Sequence, residues 1–80
     1  GGMTTLELLQ QRWKANSLSL AQVREHYFPH IKTEKRLRAL IRNGEVALPT
    51  FKHTDSRLAP LYVRLPDLAA YLDSRAEQAA

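Results

Sequence analysis

A mainly helical α+β fold is predicted by three features of the chain. Apolar residues recur at helical spacing in "TLELLQQRW", "LSLAQVREHYF", "TEKRLRALIRN" and "LPDLAAYL". Between the third and fourth of these segments lie two short β-prone runs, "VALPTFK" and "LYVRL". Pro29, Gly44 and Pro66 stand at the borders of the helical segments, where each residue type has a structural use.

Composition bounds what such a fold can do. Eighty residues make one domain, and a chain this short hides only about 60% of the surface its unfolded form exposes. An elaborate catalytic cleft is not expected, and the protein is read as a non-enzyme. With 44% hydrophobic and 25% charged residues the chain is globular rather than disordered. There is no cysteine, which excludes disulfides and thiolate metal sites and fits a reducing cytoplasm. No apolar run approaches membrane-spanning length and no signal peptide is visible, so no membrane partner is expected. Gly1 and Gly2 read as an expression scar ahead of Met3, residues 3–75 as the domain, and residues 76–80 as a frayed tail.

The net charge of +4 is unevenly placed. From Lys32 to Arg64 there are eight Lys/Arg against Glu34, Glu45 and Asp55, a net of +5, whereas the rest of the chain carries four against five acids. The positive excess therefore belongs to the middle of the chain and points to a polyanionic partner.

In the first helix Leu6, Leu9 and Trp13 form an apolar stripe that a preceding threonine can cap, and the segment ends near "KANS". Ser19 followed by Gln22 is a capping box for the second helix, and Leu18 with Val23 has the spacing of a hydrophobic staple. Tyr27 and Phe28 carry its apolar side until Pro29 stops it. After the turn "HIKT", Thr33 caps a third helix whose core stripe is Leu37, Leu40 and Ile41, with Gly44 as its left-handed C′ residue. The β-prone runs read as a hairpin with a cationic, mobile tip, "HTDSRLAP". Pro66 and Asp67 suit the start of a last helix that buries Leu68, Tyr71 and Leu72. Two helices across a tight turn, followed by a two-stranded β-hairpin wing and a C-terminal helix, describe a winged helix-turn-helix.

On the third helix the side chains of Lys35, Arg38 and Arg42 are expected opposite Leu37, with Arg36 on the flank. With Thr33 they form the candidate set for a recognition helix in a DNA major groove, where Arg and Lys pair with guanine or phosphate. Lys52, His53, Arg57 and, more weakly, Arg64 are the candidate wing contacts to the DNA backbone. The bland reading of each group is a solvated charged face or loop. His26 and His30 have a metal-ligand spacing that Pro29 interrupts, and no carboxylate or cysteine completes a set, so no metal and no cofactor are expected. His53, Asp55 and Ser56 crowd one turn, which leaves no room for a protected catalytic triad. Trp13, Tyr27, Phe28 and Tyr71 are read as core rather than as a base-stacking platform.

The order "LSLAQV", "RLRALIRNGEV", hairpin, "VRLPDLAAYL" resembles the winged helix-turn-helix of excisionases and MerR-type DNA-binding domains. More narrowly, "TLELLQQRW", "REHYFPHI", "NGEVALPTFK", "DSRLAP" and "LPDLAAYLD" together resemble the pyocin activator protein PrtN family, over nearly all of Met3 to Arg75. That resemblance implies a small transcription activator of bacterial or prophage origin that binds promoter DNA of bacteriocin or phage genes, in the bacterial cytoplasm at the nucleoid. RNA polymerase is an expected further partner, and a homodimer or tandem binding would supply the contacts one small domain lacks. Two other functions fit the same residues: an excisionase-like DNA-bending recombination factor, and a phage-encoded protein-binding inhibitor module, for which Leu58 and Leu61 offer apolar surface.

Overall fold

The computed structural model describes residues 2–79 and orders the elements as α1 (Thr5–Trp13), β1 (Ser17–Ser19), α2 (Leu20–Tyr27), α3 (Glu34–Arg42), β2 (Tyr62–Arg64) and α4 (Leu65–Ala79). Gly1, read above as part of a scar, and Ala80, read as part of a frayed tail, lie outside the described residues. The class is the predicted mixed α+β, with four helices and one two-stranded antiparallel sheet in a winged-helix-like arrangement.

Local chemistry starts and stops the helices as expected. Thr4 and Glu7 form a capping box on α1. The Thr4 backbone N–H, and then its side chain, hold the Glu7 carboxyl below the ordinary carboxylate range. On α2 the Gln22 N–H donates to Ser19 Oγ at 3.2 Å, and the Ser19 N–H donates to Gln22 Oε1 at 3.1 Å. The two staple residues Leu18 and Val23 are both buried. The turn before α3 is tied back to α2 by Arg24, whose Nη1 donates to the Ile31 carbonyl at 2.8 Å, while Phe28 and Ile31 sink into the core.

Thr33 Oγ1 accepts from the Arg36 N–H at 3.0 Å and caps α3. At the other end Gly44 has φ +81, its N–H donates to the Ile41 carbonyl and the Glu45 N–H donates to the Leu40 carbonyl. That pair of bonds is a Schellman motif, and the left-handed residue it needs is the glycine.

Leu20 and Val23 of α2, Leu37 of α3, Val63 of β2 and Leu65 and Leu68 of α4 are the most deeply buried side chains, so the core is where these elements meet. α1 packs along α4, with Leu9 and Ala69 buried and the Thr5 hydroxyl donating to Asp73. Trp13, Tyr27 and Tyr71 are partly buried against the core. The Trp13 Nε1–H donates to the Tyr27 hydroxyl at 2.9 Å, and Phe28 is buried with its ring centroid 5.5 Å from that of Tyr71.

One expectation about the sheet is corrected. The sheet is not built from "VALPTFK" and "LYVRL": β2 pairs with β1, in the register Leu18↔Val63, and residue 51 alone contributes a bridge, Phe51↔Tyr62. Proline explains the loss of the expected strand. Phe51 and Tyr62 exchange both backbone hydrogen bonds, at 3.0 and 2.8 Å, so the next bonded pair of that ladder would be Pro49 with Arg64, and Pro49 has no N–H to give. Val46 and Leu48 still alternate inward and are buried without pairing. α4 runs to Ala79, into the segment read from the sequence as a tail, and "SRAEQA" is made largely of good helix formers, with Arg75 donating to Gln78 Oε1 at 3.1 Å.

Candidate nucleic-acid interface

Burying Leu37 sets the orientation of α3. With Leu40 and Ile41 partly packed on the core, Lys35, Arg36 and Arg42 are left exposed, and Thr33 is exposed at the N-cap. Arg38 departs from its expected place opposite Leu37. One residue is a step of only about 100° around a helix, so Arg38 sits on the flank, with 38% of its side chain exposed. There its Nη2 pairs with Glu34 Oε2 at 3.5 Å, four residues back. Its Nε is buried and has no hydrogen-bond partner. The guanidinium therefore keeps donor capacity that the fold does not use.

The Phe51–Tyr62 bridge closes a loop over residues 52–61 and sets its root beside α3. Between helix and loop lies an open cleft of about 310 Å³, lined by Arg38, Ile41 and Arg42 from α3 and by Thr50, Lys52 and Leu61 from the other wall. Three cationic residues thus line it together with two aliphatic ones. An anionic oxygen entering such a cleft meets charge-assisted donors from α3 and from the loop.

The loop residues are arranged differently from those of α3. Lys52 is exposed, and its Nζ donates to the carbonyls of Ser56 at 3.3 Å and Arg57 at 3.4 Å, folding the side chain along the loop. His53 lies with its ring centroid 4.2 Å from Tyr62 and 5.3 Å from Phe51. Arg57 is exposed near the tip, next to Leu58, which is 92% exposed. Arg64 is exposed on β2 in register with Ser17, and it does not line the cleft.

Thus Arg38, Arg42 and Lys52 are brought together at the cleft, while Thr33, Lys35, Arg36, His53, Arg57 and Arg64 do not line it. Sequence reasoning missed Thr50 and Leu61 as cleft residues, and no local signal marks either. It also missed the Glu34–Arg38 pair, although the i,i+4 spacing is visible in "EKRLR". His26 and His30 are used separately: His26 packs on Trp13 with centroids 4.8 Å apart and faces an Arg12 nitrogen at 3.2 Å, and His30 lies 6.3 Å from the Phe28 ring. Among the described residues no helix is long and apolar enough to cross a membrane.

The family described as pyocin activator protein PrtN matches this chain over residues 5–79. No curated protein and no solved structure matches it.

Proposed function

The chain belongs to the pyocin activator protein PrtN family, and from that premise we propose that it is a sequence-specific binder of double-stranded DNA that activates bacteriocin or phage genes in the bacterial nucleoid. The observation that carries this reading is the cleft in which Arg38 and Arg42 of α3 stand across from Lys52 of the loop. In it α3 enters the major groove, where Arg42 and Arg38 reach guanine edges, Lys35 and Arg36 reach edges or phosphates, and the α3 N-terminus at Thr33 meets a phosphate. Lys52 and Arg57 hold the backbone beside the groove, with His53 and Arg64 as outer contacts. Copies bound as a dimer or in tandem supply the affinity that one domain lacks, and RNA polymerase is the partner through which activation is read out.

Binding measured across a salt series tests the proposal. The expected result is a slope of roughly −0.9 per phosphate neutralised, and binding that is unchanged between low and physiological salt overturns it. Sequences selected from a random duplex pool then separate roles. Arg42→Ala is expected to lose about 1–3 kcal/mol on the selected duplex and to relax preference at one position. Lys52→Ala is expected to weaken selected and random duplexes alike and to reduce the salt slope by about one unit.

A further inference from the structure

We propose that Leu58 is a wedge that enters the minor groove of the bound duplex, unstacks one base step and bends the DNA. The proposal rests on the DNA-binding reading above and adds to it a second groove and a deformation. Leu58 is 92% exposed, against 53% for Leu8 and 48% for Met3, the other large exposed hydrophobics among the described residues. A leucine that bare is poorly used by the fold of the domain itself.

The tip that carries it is held by hydrogen bonds of its own. The Leu58 N–H donates to Ser56 Oγ at 3.2 Å and the Ala59 N–H to the Ser56 carbonyl at 3.1 Å. Lys52 Nζ reaches the carbonyls on either side of the Ser56–Arg57 peptide's second residue, those of Ser56 and Arg57. The backbone on the N-terminal side of Leu58 is thus tied from two directions, and presenting the side chain to a partner requires little further ordering.

The surroundings select the partner. A protein docking site needs a contiguous apolar patch, yet Leu58 is preceded by exposed Thr54, Asp55, Ser56 and Arg57, and of the apolar residues that follow it Ala59 and Leu61 are half-buried, which leaves Pro60 as its exposed apolar neighbour in the loop. A minor-groove wedge is served by one apolar side chain beside a cation, because Arg57 on the bordering phosphates holds the tip in place while the leucine parts the bases. The loop is also rooted at the cleft shared with Arg38 and Arg42. A duplex whose major groove receives α3 therefore offers its neighbouring minor groove to this loop. Pyrimidine–purine steps, which unstack most easily, are the expected point of entry.

The test uses the whole chain and selected duplexes carrying a dye at each end and 2-aminopurine at a pyrimidine–purine step beside the α3 site. Wild-type protein is expected to bend the duplex by roughly 20–90° and to raise 2-aminopurine fluorescence as the base unstacks. Leu58→Ala should abolish the fluorescence rise and most of the bend. Its affinity should stay within about tenfold of wild type, because the unstacking it no longer causes offsets the apolar contact it loses. Leu58→Met should restore both signals. Because the side chain is outside the core, an unchanged melting temperature in both variants confirms that only the tip was altered. Tight binding by wild type and Leu58→Ala with identical bend and fluorescence overturns the wedge while leaving DNA binding intact. No binding by wild type overturns both readings. Unchanged bending combined with loss of RNA polymerase recruitment by Leu58→Ala also overturns the wedge and assigns Leu58 to a protein contact.

Discussion

The paired helices α2 and α3 and the loop 52–61 carry basic residues side by side, yet they are held by different forces. α2 and α3 are anchored by Leu20, Val23 and Leu37, all with no solvent exposure, and by side-chain caps at Ser19 and Thr33. The loop has no fully buried residue, and Leu61, at its C-terminal end, is only partly buried against the core. Its shape comes from the Phe51–Tyr62 bridge, the Ser56 turn and the Lys52 tether, all of them polar contacts near or at the surface. Apolar burial fixes where the α3 cations stand regardless of what they touch, whereas the loop spends part of its cationic donor capacity on its own carbonyls. Base reading, which depends on placement to a fraction of an ångström, suits the first arrangement. Gripping a backbone of fixed charge suits the second, since Lys52 can exchange a carbonyl for a phosphate oxygen without moving a helix.

The comparison is broken most forcefully at its two leucines. Leu37→Ala is expected to destabilise the domain by about 2–5 kcal/mol, because the vacated volume lies among fully packed neighbours. Leu58→Ala should remain within about 0.5 kcal/mol of wild type. Chemical denaturation of the two variants checks both values, and similar losses would mean that the loop is packed as tightly as the helices.

Gly44, the junction between the two regions, is the next largest. A Cβ built there meets nothing within 4 Å, so the expected penalty is conformational and not steric crowding. Gly44→Val at φ +81 should cost roughly 1–2 kcal/mol, and Gly44→Asn distinctly less, since asparagine tolerates the left-handed region. A valine variant with the wild-type melting temperature would contradict the helix end described above.

What the sequence made legible follows the same division. Thr4, Ser19, Thr33 and Gly44 act on backbone groups within a few residues, so their roles can be read from local spacing. The sheet cannot be read that way. Ser17–Ser19 becomes a strand only because Tyr62–Arg64 lies beside it, and on the opposite edge of β2 Pro49 keeps the segment nearer in sequence from pairing beyond the Phe51 bridge. The cleft is equally non-local, since Thr50 and Leu61 acquire meaning only from the bridge that sets them against α3. Arg38 was misplaced for a smaller reason: a residue adjacent to a core leucine lies on the flank of a helix, not on its far side.

Ser19→Ala measures the helical side of the comparison at intermediate scale. It removes a cap whose hydroxyl accepts the Gln22 N–H at 3.2 Å and should cost on the order of 1 kcal/mol. Lys52→Met removes two exposed bonds to the loop and should change global stability by less than about 0.5 kcal/mol. Equal losses in thermal denaturation would show that the tether supports the whole domain.

The smallest expected effect on stability falls on Glu34, where the two kinds of organisation meet in one side chain. Glu34 lies in the first turn of α3, where its charge favours the helix dipole, and it forms the long, half-exposed pair with Arg38. Such a pair contributes little, so Glu34→Gln should lower stability by about 0.5 kcal/mol or less. Its effect on DNA binding should have the opposite sign. On the proposed DNA-binding reading, the substitution removes a negative charge from the face offered to phosphate and releases the Arg38 Nη2, so that a guanidinium already lining the cleft, whose Nε lacks a partner, has more donors to offer there. Affinity for random and selected duplexes should therefore rise at low salt, and the gain should shrink as salt screens the lost repulsion. The double variant Glu34→Gln with Arg38→Ala separates the two contributions. If the gain came only from removing repulsion it would persist without the arginine, whereas a gain that disappears assigns it to Arg38. Weaker binding by Glu34→Gln alone would show instead that the carboxylate orients Arg38 for its contact, and the flank of α3 would then be part of the ordered recognition surface.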